Sequence, residues 1–249
     1  MKDNQKPTRL SVNHVSHSYD KVSVLQHLDL SVKSGEFIVL VGPSGCGKTT
    51  LLNILSGYLK PLSGSVTREG DIRTVYQQDG LFPWLTVGEN ISMGLSKTKD
   101  KALQKKELQE LLELIHLQGF EDHYPHQLSG GMRQRVELAR VIAGDSDILL
   151  MDEPFSALDY QTRLRMRVEL VRLLEKRPRT VVFVTHDIEE AAQLADRVLV
   201  LSNRPSIIKK ELTIDSPKPR NPTDSAVVET TRAILTEFGL QVSELSTES

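Results

Sequence analysis

The chain has 249 residues, 39% of them hydrophobic, enough to bury one large core in a main domain that carries an inserted subdomain. Its 31 basic and 33 acidic residues leave a formal charge of −2, which excludes a global field that recruits nucleic acid or anionic lipid. Cys46 is the only cysteine, so no intrachain disulfide can form and a reducing compartment such as the cytosol is expected. Residues 1–7 lack the apolar run of a signal peptide, and no segment approaches the roughly 18 apolar residues of a membrane span. A role at a membrane would need another chain to do the crossing.

In chain order, Leu10-Ser11-Val12-Asn13 and Leu28-Asp29-Leu30-Ser31-Val32 alternate apolar and polar residues, which predicts half-exposed antiparallel strands and a small β layer. Residues 37–41, 148–151, 181–184 and 198–201 are unbroken apolar runs, as expected of parallel strands covered on both faces. These predict the central sheet of an α/β fold. Between the first two runs, Leu108, Leu111, Leu112 and Ile115 form a helical stripe. A further helix is predicted to open near Ser129, with Met132, Val136, Ala139 and Ala143 on one side. We expect a helical insertion at about 83–145 within a domain spanning 1–205. After Asn203, Pro205, Pro217, Pro219 and Pro222 punctuate the chain. Val227, Val228, Thr231, Ile234, Leu235 and Phe238 then predict an amphipathic helix in a C-terminal tail, 206–249.

The apolar run ending at Val41 enters Gly42-Pro43-Ser44-Gly45-Cys46-Gly47-Lys48-Thr49, and Thr50, Leu51, Leu52, Ile54 and Leu55 continue as a helix. Strand, glycine loop and helix in that order are the context of a Walker A phosphate loop. Glycines let backbone N–H groups turn inward around phosphates, and the helix N-terminus adds about 0.3–1 kcal/mol per anionic interaction. Lys48 is expected to hold the β and γ phosphates and Thr49 to place a hydroxyl on magnesium. Cys46 stands at a variable position. A structural role is expected for it first; a thiol beside a helix N-terminus would in addition be sensitive to alkylation when nucleotide is absent.

The run 148–151 delivers Asp152 and Glu153 to a strand end, where ligands sit in open α/β sheets. Adjacent strand residues face opposite ways, so the two acids are expected to divide the work: Asp152 on magnesium, Glu153 polarising the attacking water as general base. Leu128-Ser129-Gly130-Gly131 places a hydroxyl and bare backbone at another helix start, a second ready anion site.

Leu128-Ser129-Gly130-Gly131-Met132-Arg133-Gln134-Arg135 resembles the signature sequence of the ABC family, and the resemblance covers about residues 8–205 with every family motif in order. It implies a P-loop NTPase fold of ABC type, with a mainly parallel central sheet, an N-terminal antiparallel β layer and an inserted helical subdomain. It also implies a dimer of identical or paired cassettes arranged head to tail, in which Ser129, Gly130 and Gly131 of one copy contact the γ phosphate of ATP bound to the other. Asp159, in Ser156-Ala157-Leu158-Asp159, matches the D-loop, a dimer contact, and His186 matches the switch histidine that contacts the γ phosphate. Tyr19 stands where the family stacks an aromatic residue on adenine. Gln77, with Gln78 as runner-up, resembles the Q-loop glutamine that touches magnesium. Phe82 and Trp84 lie in the region that receives a cytoplasmic helix of the membrane subunit. The remaining histidines, His14, His17, His27, His116, His123 and His126, show no metal-ligand spacing and are expected at the surface.

Phe82-Pro83-Trp84, Thr185-His186-Asp187-Ile188-Glu189-Glu190-Ala191 and Leu201-Ser202-Asn203-Arg204-Pro205 look like the ATP-binding subunits of nitrate, sulfonate and taurine importers. Thiamine-precursor importers are of similar sequence. The resemblance implies ATP and Mg2+ as cofactors, integral permease subunits as partners and a solute-binding protein acting indirectly. The implied location is the cytoplasmic face of the bacterial inner membrane. A DNA-repair ATPase of the superfamily would carry a long coiled-coil insertion, and a translation-associated one two cassettes and a basic surface. Neither occurs, no Asn-Lys-x-Asp guanine reader is present, and an intact Lys48 and Glu153 oppose a noncatalytic binding module.

Overall fold

The computed structural model describes residues 6–76, 80–95 and 100–240. They fall into two compact units, Met1–Gly70 together with Pro178–Ser249, and Asp71–Arg177.

The first unit opens with two twelve-residue strands, β1 (Thr8–Tyr19) and β2 (Val22–Lys33), paired antiparallel. The two-residue period predicted for them breaks within each strand. Leu10 and Val12 are buried, then Val15 and His17. The slip falls at His14, whose φ of 52° lies in the left-handed region, and His27 on β2 has a φ of 46°. Such β-bulges insert a residue and strengthen the local twist, so the apolar face stays inward along the strand. His17 is thereby only 5% exposed, which corrects the expectation that it lies at the surface.

β3 (Phe37–Val41) is buried at all five positions and leads through residues 42–47 into α1 (Lys48–Ser56). β4 (Ser63–Arg68) returns to pair antiparallel with β1, completing a three-stranded layer in the order β2-β1-β4.

The second unit begins with β5 (Ile72–Val75), which sequence reasoning did not single out because only Val75 is fully buried. The helices follow: α2 (Val87–Gly94), α3 (Lys101–Leu114) and, after a 3-10 turn at Pro125–Gln127, α4 (Gly130–Ala143). α2 starts with a capping box in which Thr86 Oγ1 accepts from Glu89 N and the Glu89 carboxylate accepts from Thr86 N. β6 (Ile148–Asp152) pairs parallel with β5, and α5 (Tyr160–Lys176) ends the unit.

The chain then returns to the first unit. β7 (Thr180–Val184) lies parallel to β3, and α6 (Ile188–Leu194) crosses to β8 (Arg197–Leu201), parallel to β3 on its other side. β9 (Ile208–Thr213) adds an antiparallel edge to β8, and α7 (Ser225–Glu237) buries Val227 and Ile234. Arg220, 5% exposed, ties this last stretch down. Its guanidinium donates to the carbonyls of Ala192 (3.2 Å) and Ala195 (2.6 Å) at the end of α6, and to those of Ile214 (3.0 Å) and Ser216 (2.7 Å). An arginine fork thus satisfies helix carbonyls that have no intrahelical partner. Among the described residues, no helix is long and apolar enough to cross a membrane.

Candidate functional site

In the first unit, β3 and α1 are joined by a loop whose backbone favours glycine at two points. Gly45 has a φ of 71° and Gly47 a φ of 113°. A Cβ at Gly47 would lie 2.7 Å from Val24 Cγ1 and 2.9 Å from Leu25 Cδ2. The loop is therefore pressed against β2, with no room for a side chain. Gly47 caps α1 without a side-chain hydrogen bond, and no acidic residue stands in the first turn, so the helix start suits an incoming anion. Lys48 is 8% exposed, and its ammonium donates to Gly42 O (2.8 Å) and Pro43 O (3.1 Å), which curls the side chain back over the loop. Ser44 and Thr49 are exposed, and Thr50 is buried. Cys46 is 2% exposed, with its Sγ 4.0 Å from Lys48 Nζ. That burial corrects the expected reactivity toward thiol reagents, because alkylation needs access as well as activation.

Two further predicted residues belong to this unit. Tyr19 ends β1 with 49% of its surface exposed, and the ring of His17 meets it edge-on at 4.9 Å between centroids. His186 follows β7 and is exposed. Its turn is held from beneath: Thr185 Oγ1 donates to Glu190 Oε2 (2.6 Å) and accepts from Asp187 N (2.9 Å), while Asp187 Oδ1 caps α6 by accepting from Glu190 N (3.1 Å). Thr185 and Glu190, both buried, stood out in the sequence only as members of a family-like stretch, with no role of their own. Arg204 is a second contact of this kind, its Nε donating to Gly45 O. The available signal was its position just past β8, at the strand end where α/β sheets place ligands.

In the second unit, β6 carries Asp152, 2% exposed, to its C-terminal end. Glu153 does not continue the strand. Its φ of 49° puts it in the left-handed region, at a cost of about 1–2 kcal/mol for a residue with a Cβ. A turn at Glu153 thus takes the place of the strand alternation expected to separate the two acids. Ser129 is the exposed N-cap of α4, and its Oγ accepts from Met132 N at 3.2 Å. Gly130 and Gly131 form the first turn of that helix. A Cβ at Gly131 would come 3.1 Å from Ala157 O, so the helix start lies close against the segment after Glu153. Asp159 caps α5 by accepting from Thr162 N (3.0 Å), and that hydrogen bonding holds its carboxyl below the usual carboxylate range.

Phe82 and Trp84 also lie in this unit. Asn90, fully buried, accepts from Phe82 N (2.9 Å) and donates to Phe82 O, Leu85 O and Thr86 O, which fixes the turn between them. The Arg140 guanidinium stacks over the Phe82 ring at 5.4 Å, whereas Trp84 is 69% exposed. Gln77 and Gln78 lie outside the described residues.

A phosphate-loop strand and helix in one unit, and a carboxylate pair with a glycine-led helix in the other, define a class: a P-loop ATPase of the ABC type. Comparison with known proteins agrees. Residues 25–156 match the family model described as ABC transporter. The chain is 44% identical over 228 residues to an uncharacterized ABC transporter ATP-binding protein, MJ0412, of Methanocaldococcus jannaschii, covering 87% of this chain and 84% of that protein. It is 39% identical over 241 residues to the aliphatic sulfonates import ATP-binding protein SsuB of Bacillus cereus, covering 92% and 95%. A solved dimeric structure of the ATP-binding cassette MJ0796, in a post-hydrolysis state bound to ADP and Pi, superposes with a TM-score of 0.75 at 32% identity, covering 84% of this chain and all of that one. The chain belongs to the ABC transporter family, as an ATP-binding subunit, and it is an ATPase.

Proposed function

We propose that two copies of this chain, arranged head to tail, bind and hydrolyse two ATP molecules and thereby drive a membrane importer of a small oxyanionic solute, with sulfonates foremost. The observation that carries the dimeric reading is the pairing, in one chain, of a phosphate loop with a second glycine-led helix start whose cap residue, Ser129, is exposed. One helix start serves the nucleotide of its own chain; the other serves the partner's.

In this reading Lys48 and the backbone from Gly42 to Thr50 hold the phosphates, and Tyr19 stacks on the base. Thr49, Asp152 and Gln77 would hold magnesium, whose charge would offset that of the phosphate oxygens. Hard oxygen donors at a helix start and a strand end suit that ion. Glu153 takes a proton from the attacking water, and His186 orients that water against the γ phosphate. Asp159 acts at the dimer contact. Phe82 and Trp84 form the face for a cytoplasmic helix of the permease, with the exposed indole as its anchor. The subunit would then sit peripherally on the cytoplasmic side of the membrane, fed by a solute-binding protein it never touches.

Ser129→Arg should leave ATP binding to the monomer unchanged, abolish ATP-dependent dimerisation in size-exclusion chromatography and lower turnover with it. A variant that still dimerises on ATP removes the shared-site reading. The solute is tested separately. A strain lacking this subunit should fail to grow on taurine or an alkanesulfonate as sole sulfur source while growing normally on sulfate. Normal growth on sulfonates, with a defect on nitrate or a thiamine precursor instead, moves the assignment to that solute.

A further inference from the structure

Gln134, one turn into α4, has its side-chain amide fully engaged in the segment that follows β6. Nε2 donates to the carbonyl of Glu153 at 3.1 Å and to Ser156 Oγ at 3.2 Å, while Oε1 accepts from Ala157 N at 2.9 Å. All four residues belong to the same compact unit. The carbonyl it holds is that of Glu153, whose φ of 49° is one a glutamate rarely adopts. Ser156 N donates to the same carbonyl at 3.1 Å, so this oxygen is fixed from two sides. A strained backbone persists only where its surroundings over-determine it, and Gln134 is one of the groups that hold this one.

We propose that Gln134 is a positioning residue for hydrolysis: its amide sets the left-handed turn that aims the Glu153 carboxylate, and it joins that turn to the helix whose first residues follow Ser129. A shift of α4 is then transmitted to the Glu153 carbonyl through the Gln134 side chain. The proposal rests on the reading of Glu153 as general base. Displacing a catalytic group by a fraction of an ångström slows the chemical step while leaving ground-state binding alone.

Two substitutions separate this role from simple anchoring of the loop. Gln134→Glu keeps an acceptor for Ala157 N but loses the donor to Glu153 O; Gln134→Ala loses both. Steady-state ATPase kinetics, nucleotide binding and melting temperature are measured for each beside Glu153→Gln. Both variants are expected to lose about ten- to hundredfold in kcat with KM and ATP affinity within about twofold of the wild type. A Gln134→Glu variant with wild-type kcat overturns the proposal, because the Ala157 contact alone then suffices. So does a fall in kcat accompanied by an equal loss of ATP affinity and of melting temperature, the mark of a merely structural role. If Glu153→Gln itself turns over at the wild-type rate, the assignment of the base fails instead, and the two failures are thus distinct.

Discussion

Glu153→Gln is expected to lower kcat for ATP hydrolysis about 10²- to 10⁴-fold while leaving ATP affinity within about twofold of the wild type. The substitution keeps the size of the side chain and its hydrogen-bonding reach but removes the basic oxygen that takes the water's proton. The backbone geometry should survive, because Gln134 Nε2 and Ser156 N hold the left-handed turn through the Glu153 carbonyl, which the substitution leaves in place. ATP should therefore bind, close the dimer and remain, and the variant should accumulate as an ATP-bound dimer in size-exclusion chromatography with ATP and magnesium. Turnover near the wild-type rate would remove Glu153 from the chemistry.

Lys48→Ala should act at the other end of the cycle. Lys48 is 8% exposed, and its ammonium is already turned into the loop, 2.8 Å from Gly42 O and 3.1 Å from Pro43 O, so a small rearrangement suffices to exchange those carbonyls for phosphate oxygens. A hydrogen bond to a charged group contributes about 1.5–3 kcal/mol. Its loss corresponds to roughly ten- to 150-fold in Kd for ATP. Equilibrium titration with a fluorescent ATP analogue measures this directly. The α1 helix start and the glycine loop remain, so residual binding is expected, and unchanged affinity would contradict the phosphate role of Lys48. Together the two variants divide the cycle: one binds and stalls, the other scarcely binds.

The legibility of these residues in the sequence was uneven for identifiable reasons. β3, β6, β7 and β8 announced themselves because strands covered on both faces must be apolar throughout, and the phosphate loop because its glycines sit at fixed intervals between a strand and a helix. β5 and β9 did not. Ile72-Arg73-Thr74-Val75 and Ile208-Lys209-Lys210-Glu211-Leu212-Thr213 are short or charged, with partly exposed positions, and their pattern resembles that of a loop. The bulges at His14 and His27 were hidden too, since a left-handed residue within a strand leaves no compositional mark when it is not glycine. That concealment misplaced His17.

The sequence by itself determined the chemistry: which side chains are present, in what order, and on which ends of which elements they fall, because strand burial, glycine loops and helix starts are local properties written in contiguous residues. Only the tertiary structure decided how those side chains are held. The left-handed turn at Glu153, its tether to Gln134 nineteen positions earlier in the chain, the Asn90 clamp on the Phe82 turn and the Arg220 fork on the end of α6 are long-range or conformational facts. They depend on where a buried carbonyl finds its donor, and that partner is chosen by packing in three dimensions rather than by neighbours in the chain.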